Sequence, residues 1–231
     1  MTRSFVLLHS PFVGPGAWGA LAASLTSHGS NVVVPDFRNA LNATPPLYFQ
    51  IARSIADQMR SVGGTDDIAL VAHSGAGALV PTIARRDDRI RSIVFVDAVM
   101  PHPGKRWLDI APPELADRLV ALAKGGRLPR WHRWWPKGTL ERIVTDRAQL
   151  SAFIAELYEI PIAYFEEIAP FGSVPSVAKC SYLQLSAPYK TECDEAWRRG
   201  WRVERLDLHH LAMLTHPGVI ESALHALVAT Q

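Results

Sequence analysis

The chain has 231 residues, a formal net charge of +2 and a hydrophobic fraction of 48%. That length favours one large domain, or one domain with an insertion, and the apolar fraction supports a sizeable core. The near-neutral charge argues against the concentrated basic face of a nucleic-acid binder, two cysteines (Cys180 and Cys193) do not make a disulfide framework or a metal site, and no apolar run reaches the ~18 residues of a bilayer span.

The first residues carry no signal-peptide pattern, so the expectation is a soluble, cytoplasmic protein with no membrane or nucleic-acid partner. Residues 5–8 form a continuous apolar run closed by His9-Ser10-Pro11, which predicts a buried parallel strand. A loop follows, and residues 18–28 then place Trp18, Leu21, Ala22 and Leu25 at helical spacing before Gly29. Residues 31–35 read as a second strand, 36–46 as loop, and 47–62 as a helix stopped by Gly63-Gly64. Residues 67–72 are a third strand, 79–86 a buried helix, and 91–97 a fourth strand.

The rhythm then breaks. Residues 102–175 hold no strong strand but four helix-like pieces, 112–124, 138–144, 146–158 and 161–168, with a Trp131-His132-Arg133-Trp134-Trp135-Pro136 knot between them. Strands resume at 180–185 and 202–206, separated by a short helix at 192–199, and a helix at 217–229 closes the chain. Strands alternating with helices imply a doubly wound parallel sheet. The segment 102–175 reads as a helical lid inserted after the fourth strand of a single domain.

The third strand runs into Ala72-His73-Ser74-Gly75-Ala76, and a helix follows. A serine on a sharp strand-to-helix turn is lifted out of the backbone as a nucleophile. The turn needs small residues two before and two after the serine, and Ala72 and Ala76 stand there. Taken only locally, a serine between strand and helix also reads as a helix cap. A serine nucleophile needs an adjacent base. Two histidines after the last strand, His209 and His210, are candidates.

Together these residues resemble the α/β-hydrolase fold. Within it, Leu7-Leu8-His9-Ser10-Pro11 and the later Ala17-Trp18 resemble the His-Gly loop and Ala-Trp of a compact, cofactor-free group of small esterases and plant hydroxynitrile lyases. The resemblance implies a sheet order of 2-1-3-4-5-6 over six strands, against the family's usual eight. It also implies neither cofactor nor metal. In that group the base precedes a proline by seven residues, which selects His210 (Pro217) over His209.

A carboxylate should orient the base. The family usually carries it in a Gly-x-x-Asp loop after the fifth strand, where Ser186 and Tyr189 stand here. The alternatives are Asp97, ending the apolar fourth strand, then Glu192 or Asp194 in the following helix, or no acid at all. The oxyanion donors implied by the resemblance are the N–H of Gly75 and one from the first loop. Pro11 has no N–H, which shifts that donor to Phe12 or Val13.

Residues 102–147 carry ten Lys and Arg against five Asp and Glu, beside the Trp knot. The candidate pocket walls are Phe12, Trp18, Trp107, Trp131, Trp134, Trp135, Tyr164 and Phe165. A cationic rim over an aromatic pocket suits an anionic or carrier-bound acyl substrate, although a lid packed on the sheet with solvated charges explains the same pattern. The expectation is a serine hydrolase cleaving a small ester, thioester or lactone through an acyl-enzyme on Ser74. The alternatives are a lyase or cyclase using His210 as acid and base, and a catalytically silent small-molecule binder.

Overall fold

The computed structural model describes residues 4–61 and 67–229. Six parallel strands form the main sheet: β1 (Ser4–Leu8), β2 (Asn31–Val33), β3 (Ile68–His73), β4 (Ile90–Val96), β7 (Lys179–Gln184) and β8 (Arg202–Arg205). They run in the order β2-β1-β3-β4-β7-β8. Counting only these six, that is the expected 2-1-3-4-5-6. β1 and β3 are buried along their whole length, as their unbroken apolar runs predict for strands covered on both faces.

Right-handed crossovers then set the layers. The step from β1 to β2 runs one way, so α1 (Gly19–Ser27) lies on one face. The steps into β3, β4 and β8 run the other way. They put α2 (Leu47–Met59), α3 (Val80–Ala84) and α9 (Lys190–Arg198) on the opposite face. After β8 come a short α10 (Ala212–Thr215) and the last helix, α11 (Pro217–Ala229), which packs against α1 and under β4, β7 and β8.

The element boundaries differ from the sequence reading for local reasons. β2 stops at Val33, two residues before the expected end at Pro35. The helix expected at 79–86 is α3, shorter at Val80–Ala84 and with Pro81 in its first turn, and a six-residue 3-10 turn, Ser74–Leu79, precedes it. α2 ends at Met59, and the expected stop at Val62-Gly63-Gly64 lies outside the described residues.

The insert between β4 and β7 contains five helices: α4 (Trp107–Ile110), α5 (Pro113–Leu122), α6 (Thr139–Ile143), α7 (Arg147–Glu156) and α8 (Ala163–Glu166). It also holds a small element the apolar pattern did not announce. β5 (Arg127–Leu128) pairs antiparallel with β6 (Ile160–Pro161), two residues each. Strands this short leave no alternation to read. The Trp knot becomes a 3-10 turn, Trp131–Trp134. Among the described residues, no helix is long and apolar enough to cross a membrane.

Candidate active site

Parallel α/β sheets gather their chemistry beyond the carboxyl ends of the strands. β3 ends at His73, and Ser74 follows at φ +56°, a left-handed conformation that non-glycine residues adopt at a cost. β4 ends at Val96, and Asp97 follows at φ +41°, again left-handed. Both strained residues therefore stand at the same edge, on neighbouring strands. Gly77 lets that edge close. A Cβ there would come 2.0 Å from the carbonyl oxygen of Val99, so the chain leaving β4 touches the elbow backbone directly.

Asp97 is fully buried. A buried carboxylate is costly unless its oxygens are satisfied, and these are. Oδ1 accepts the N–H groups of Leu185 (2.6 Å) and Ser186 (3.1 Å), and Oδ2 accepts the Ser186 hydroxyl. His210 Nδ1–H donates to Oδ2 across 3.1 Å. The backbone and hydroxyl donors come from the loop after β7. An ionised carboxylate can only accept, so Nδ1 carries the proton and Nε2 is left as the acceptor.

The rival acids are placed elsewhere. Asp194 is tied to Lys190 and Arg205 at the surface, and its carboxyl is held below the usual range chiefly by the Lys190 hydrogen bond. Glu192 is half-buried, and burial raises its carboxyl, but it makes no bond to His210. His209 is half-buried too, and its Nε2 meets the Thr215 hydroxyl at 2.9 Å. It does not reach Asp97.

His73 lies beneath the site. Its Nε2–H donates to the carbonyl of His210 at 2.9 Å, and the two rings are 4.4 Å apart. Burial drives its pKa well below the usual histidine value. It therefore stays neutral and adds no competing charge when His210 is protonated.

Ser74 Oγ has one side-chain partner among the described residues, the hydroxyl of Tyr189 at 3.3 Å. The Tyr189 ring lies flat on His210, 4.9 Å between centroids and 2° from parallel. Tyr189 thus touches both the serine and the imidazole. The sequence marked it only as standing where the acid was missing.

The first loop is folded against the elbow. A Cβ on Gly75 would come 2.9 Å from the Phe12 ring and 3.2 Å from Ser10 Oγ. The N–H of Gly75 sits in the first turn after Ser74, where helical N–H groups have no partner inside the helix. The N–H of Phe12 turns back to Ser10 Oγ at 3.4 Å, and that of Val13 to the Ser10 carbonyl at 3.1 Å. Ser10 itself was not singled out from the sequence. Its hydroxyl, buried and beside Gly75, can donate to an anion formed there.

The aromatic candidates divide. Phe12 stacks on Phe165 (5.0 Å) and packs near Trp134 (5.3 Å) and edge-on to Trp107 (5.7 Å). Tyr164 stacks on Tyr48 at 5.5 Å. Trp134 and Tyr164 are therefore buried within an aromatic pile behind Phe12. Of the insert's tryptophans, Trp131 has its ring 6.4 Å from His210. Trp18 is fully buried against His73. Trp135 lines a separate cleft of about 290 Å³ in the insert, with Arg133, Lys137 and Glu141.

Among the described residues, no group of three or more His, Cys, Asp or Glu side chains is placed to hold a metal ion. The arrangement has an imidazole with a buried carboxylate behind it, a hydroxyl on a residue of left-handed backbone, and N–H and O–H donors beside that hydroxyl. Such a set can transfer an acyl group to serine and stabilise the oxyanion formed on the way.

Known proteins can be set beside this geometry. A family model described as the alpha/beta hydrolase family matches residues 5–229. The chain is similar to a putative chloroplastic methylesterase 14 of Arabidopsis thaliana, 26% identical over 121 residues, 50% of this chain and 35% of that protein. It is also similar to a carbendazim hydrolyzing esterase of Nocardioides sp. (strain SG-4G), 28% identical over 130 residues, 53% of each. The matches thus span about a third to a half of these relatives' lengths. The fold is similar to an extracellular alpha/beta-hydrolase from a Paenibacillus species, with a TM-score of 0.74, 22% identity and coverage of 98% of this chain and 99% of that one.

Proposed function

The chain belongs to the alpha/beta hydrolase family, and from that premise we propose that it is a serine hydrolase cleaving a small carboxylic ester, thioester or lactone through an acyl-enzyme on Ser74. The observation that carries this reading is the convergence of Asp97, His210 and Ser74. The carboxylate holds His210 Nδ1, and Tyr189 bridges the imidazole ring to the serine hydroxyl.

In the reaction, His210 Nε2 takes the Ser74 proton as Oγ attacks the carbonyl carbon. The negative charge of Asp97 favours the imidazolium that results. The Gly75 N–H holds one side of the oxyanion, and the loop supplies a second donor, the Ser10 hydroxyl or the Phe12 N–H it now engages. Water then deacylates the enzyme with His210 acting again as base. The esterase names of the two curated relatives support the ester class.

The narrow access to Ser74, which is 6% exposed, supports a small or slender acyl group. The helical insert acts as a lid over it. The basic excess in that insert, ten Lys and Arg against five Asp and Glu over residues 102–147, supports an anionic or carrier-bound acyl substrate. A rival reading, a lyase using His210 as acid and base without an acyl-enzyme, is favoured by one observation. The Ser74 hydroxyl is held by Tyr189 and not by His210.

An active-site-directed fluorophosphonate separates the two. The expected result is labelling of Ser74 that is abolished in Ser74→Ala and slowed in His210→Ala, with ester turnover lost in both. Turnover that survives Ser74→Ala would replace the hydrolase reading with the lyase.

A further inference from the structure

We propose that Tyr189 is a catalytic residue that donates a hydrogen bond to the leaving-group oxygen as the ester bond breaks. The inference rests on the serine-hydrolase reading and deepens it. Three observations carry it. The Tyr189 hydroxyl is 3.3 Å from Ser74 Oγ, the atom that attacks. Its ring is stacked flat on His210, so hydroxyl and imidazole edge face the same small space. The residue ends a short 3-10 turn, Ala187–Tyr189, that follows β7. That turn is fixed from behind, because the preceding Leu185 and Ser186 N–H groups are bound to Asp97.

The proton inventory follows from chemistry. A phenol has one proton to give. Burial raises the Tyr189 pKa, so it remains a neutral donor throughout. In the resting site its partner is Ser74 Oγ. When His210 Nε2 has taken the Oγ proton and the Oγ–C bond has formed, Oγ becomes an ether-like oxygen and a poorer acceptor. The leaving oxygen is then bonded to the same tetrahedral carbon. When that oxygen stands on the Tyr189 side of the carbon, it lies within reach of the same hydroxyl, which is 3.3 Å from Oγ at rest. As the tetrahedral state collapses, the C–O bond to the leaving group breaks and its electron pair goes to that oxygen. The proton that neutralises it comes from His210 Nε2–H. Tyr189 keeps its own proton and lends only the hydrogen bond.

The role has a signature that a packing role lacks. A hydrogen bond to the leaving oxygen matters in proportion to the charge that oxygen gathers. Methyl and ethyl esters have poor leaving groups and should depend on it. Nitrophenyl esters of the same acid should not. Tyr189→Phe is expected to lower kcat/KM for the alkyl esters by about 10²-fold, the usual loss for one such donor, and for the nitrophenyl esters by less than about threefold. Labelling by a fluorophosphonate, whose fluoride needs no such help, should stay within about threefold of wild type, which also reports that the variant site is intact.

Equal losses on both ester classes, or a matching loss of labelling, would overturn the proposal in favour of a packing role. So would no loss on either class. If the wild-type enzyme is not labelled and cleaves neither class, the serine-hydrolase reading fails first. Labelled wild type with a flat leaving-group response fails this proposal alone.

Discussion

On the proposed mechanism, the two halves of the site are built from different parts of the molecule. The acid–base half belongs to the sheet. Ser74 and Asp97 are the first residues beyond adjacent parallel strands, and His210 follows the last strand. The oxyanion half belongs to a loop, residues 10–16, held from outside by the insert. The Tyr158 hydroxyl donates to the Pro11 carbonyl, Gly16 N–H donates to Glu156 Oε2 at 2.7 Å, and Arg38 donates to the Glu156 carbonyl at 3.1 Å. A part fixed by strand register either works or fails. A part held by a few long-range hydrogen bonds can be loosened by degrees, and the three perturbations that follow separate the two behaviours.

The largest effect is expected in the sheet-borne half. Asp97→Asn keeps the shape but removes the charge, and the amide cannot accept from Leu185, Ser186 and His210 at once. His210 is then free to take the wrong tautomer. The expected loss is about 10⁴-fold in kcat. Asp194→Asn, at a surface pair, should leave kcat within about twofold. Ester turnover of the two variants checks the contrast. A loss below about tenfold in Asp97→Asn would remove that residue from the mechanism.

The same division explains what could be read in advance. Strand β4 is apolar from Ile93 to Val96, so a carboxylate at 97 stands out against the end of its own strand, and the spacing from His210 to Pro217 distinguishes one histidine from its neighbour. These signals are local in sequence. The contacts that hold the loop are not. Tyr158 lies 147 residues from Pro11, and Tyr189 lies 115 from Ser74. No periodicity links such pairs. The route of the insert, including the two-residue strands β5 and β6, decides which of its polar groups reach the loop. Nor does composition tell an aromatic in a pile from one on a pocket wall, which is why Trp134 and Tyr164 look alike in sequence to Trp131.

An intermediate effect should appear in the loop half on acidification. His9 is fully buried at the end of β1, and its Nδ1–H donates to the Ser10 carbonyl at 2.8 Å. Burial lowers its pKa to about 4, while Asp36, 4.0 Å from Nε2, is too exposed to offset that. Between about pH 6.5 and pH 4 the unfolded chain binds a proton here that the folded chain refuses. Stability therefore falls as pH falls through that window, by on the order of 3 kcal/mol from this residue. His9→Asn retains a donor toward Ser10. It should be less stable at pH 7, yet lose about that much less between pH 7 and pH 4 in denaturant unfolding. A variant with the full wild-type slope would assign the acid sensitivity to another group, such as His73.

The smallest effect should come from loosening the tie between insert and loop. Tyr158→Phe removes the hydroxyl that caps the Pro11 carbonyl and changes nothing in the Asp97–His210 pair. One lost hydrogen bond to a neutral carbonyl costs about 1 kcal/mol of stability, which denaturant unfolding would register. Catalysis should suffer more than that suggests, because Pro11 lies between Ser10 and Phe12, the two residues that hold the loop's oxyanion donors. A misplacement approaching 1 Å costs up to about 10²-fold. With Glu156 still anchoring Gly16, about tenfold in kcat is expected. Fluorophosphonate labelling should slow by a similar factor, since the phosphonyl oxygen occupies the same hole. The pH profile of kcat/KM should not move, since the base and its carboxylate are untouched. A shifted profile would mean that the insert also reaches the acid–base half, and that the two halves are coupled and not merely adjacent.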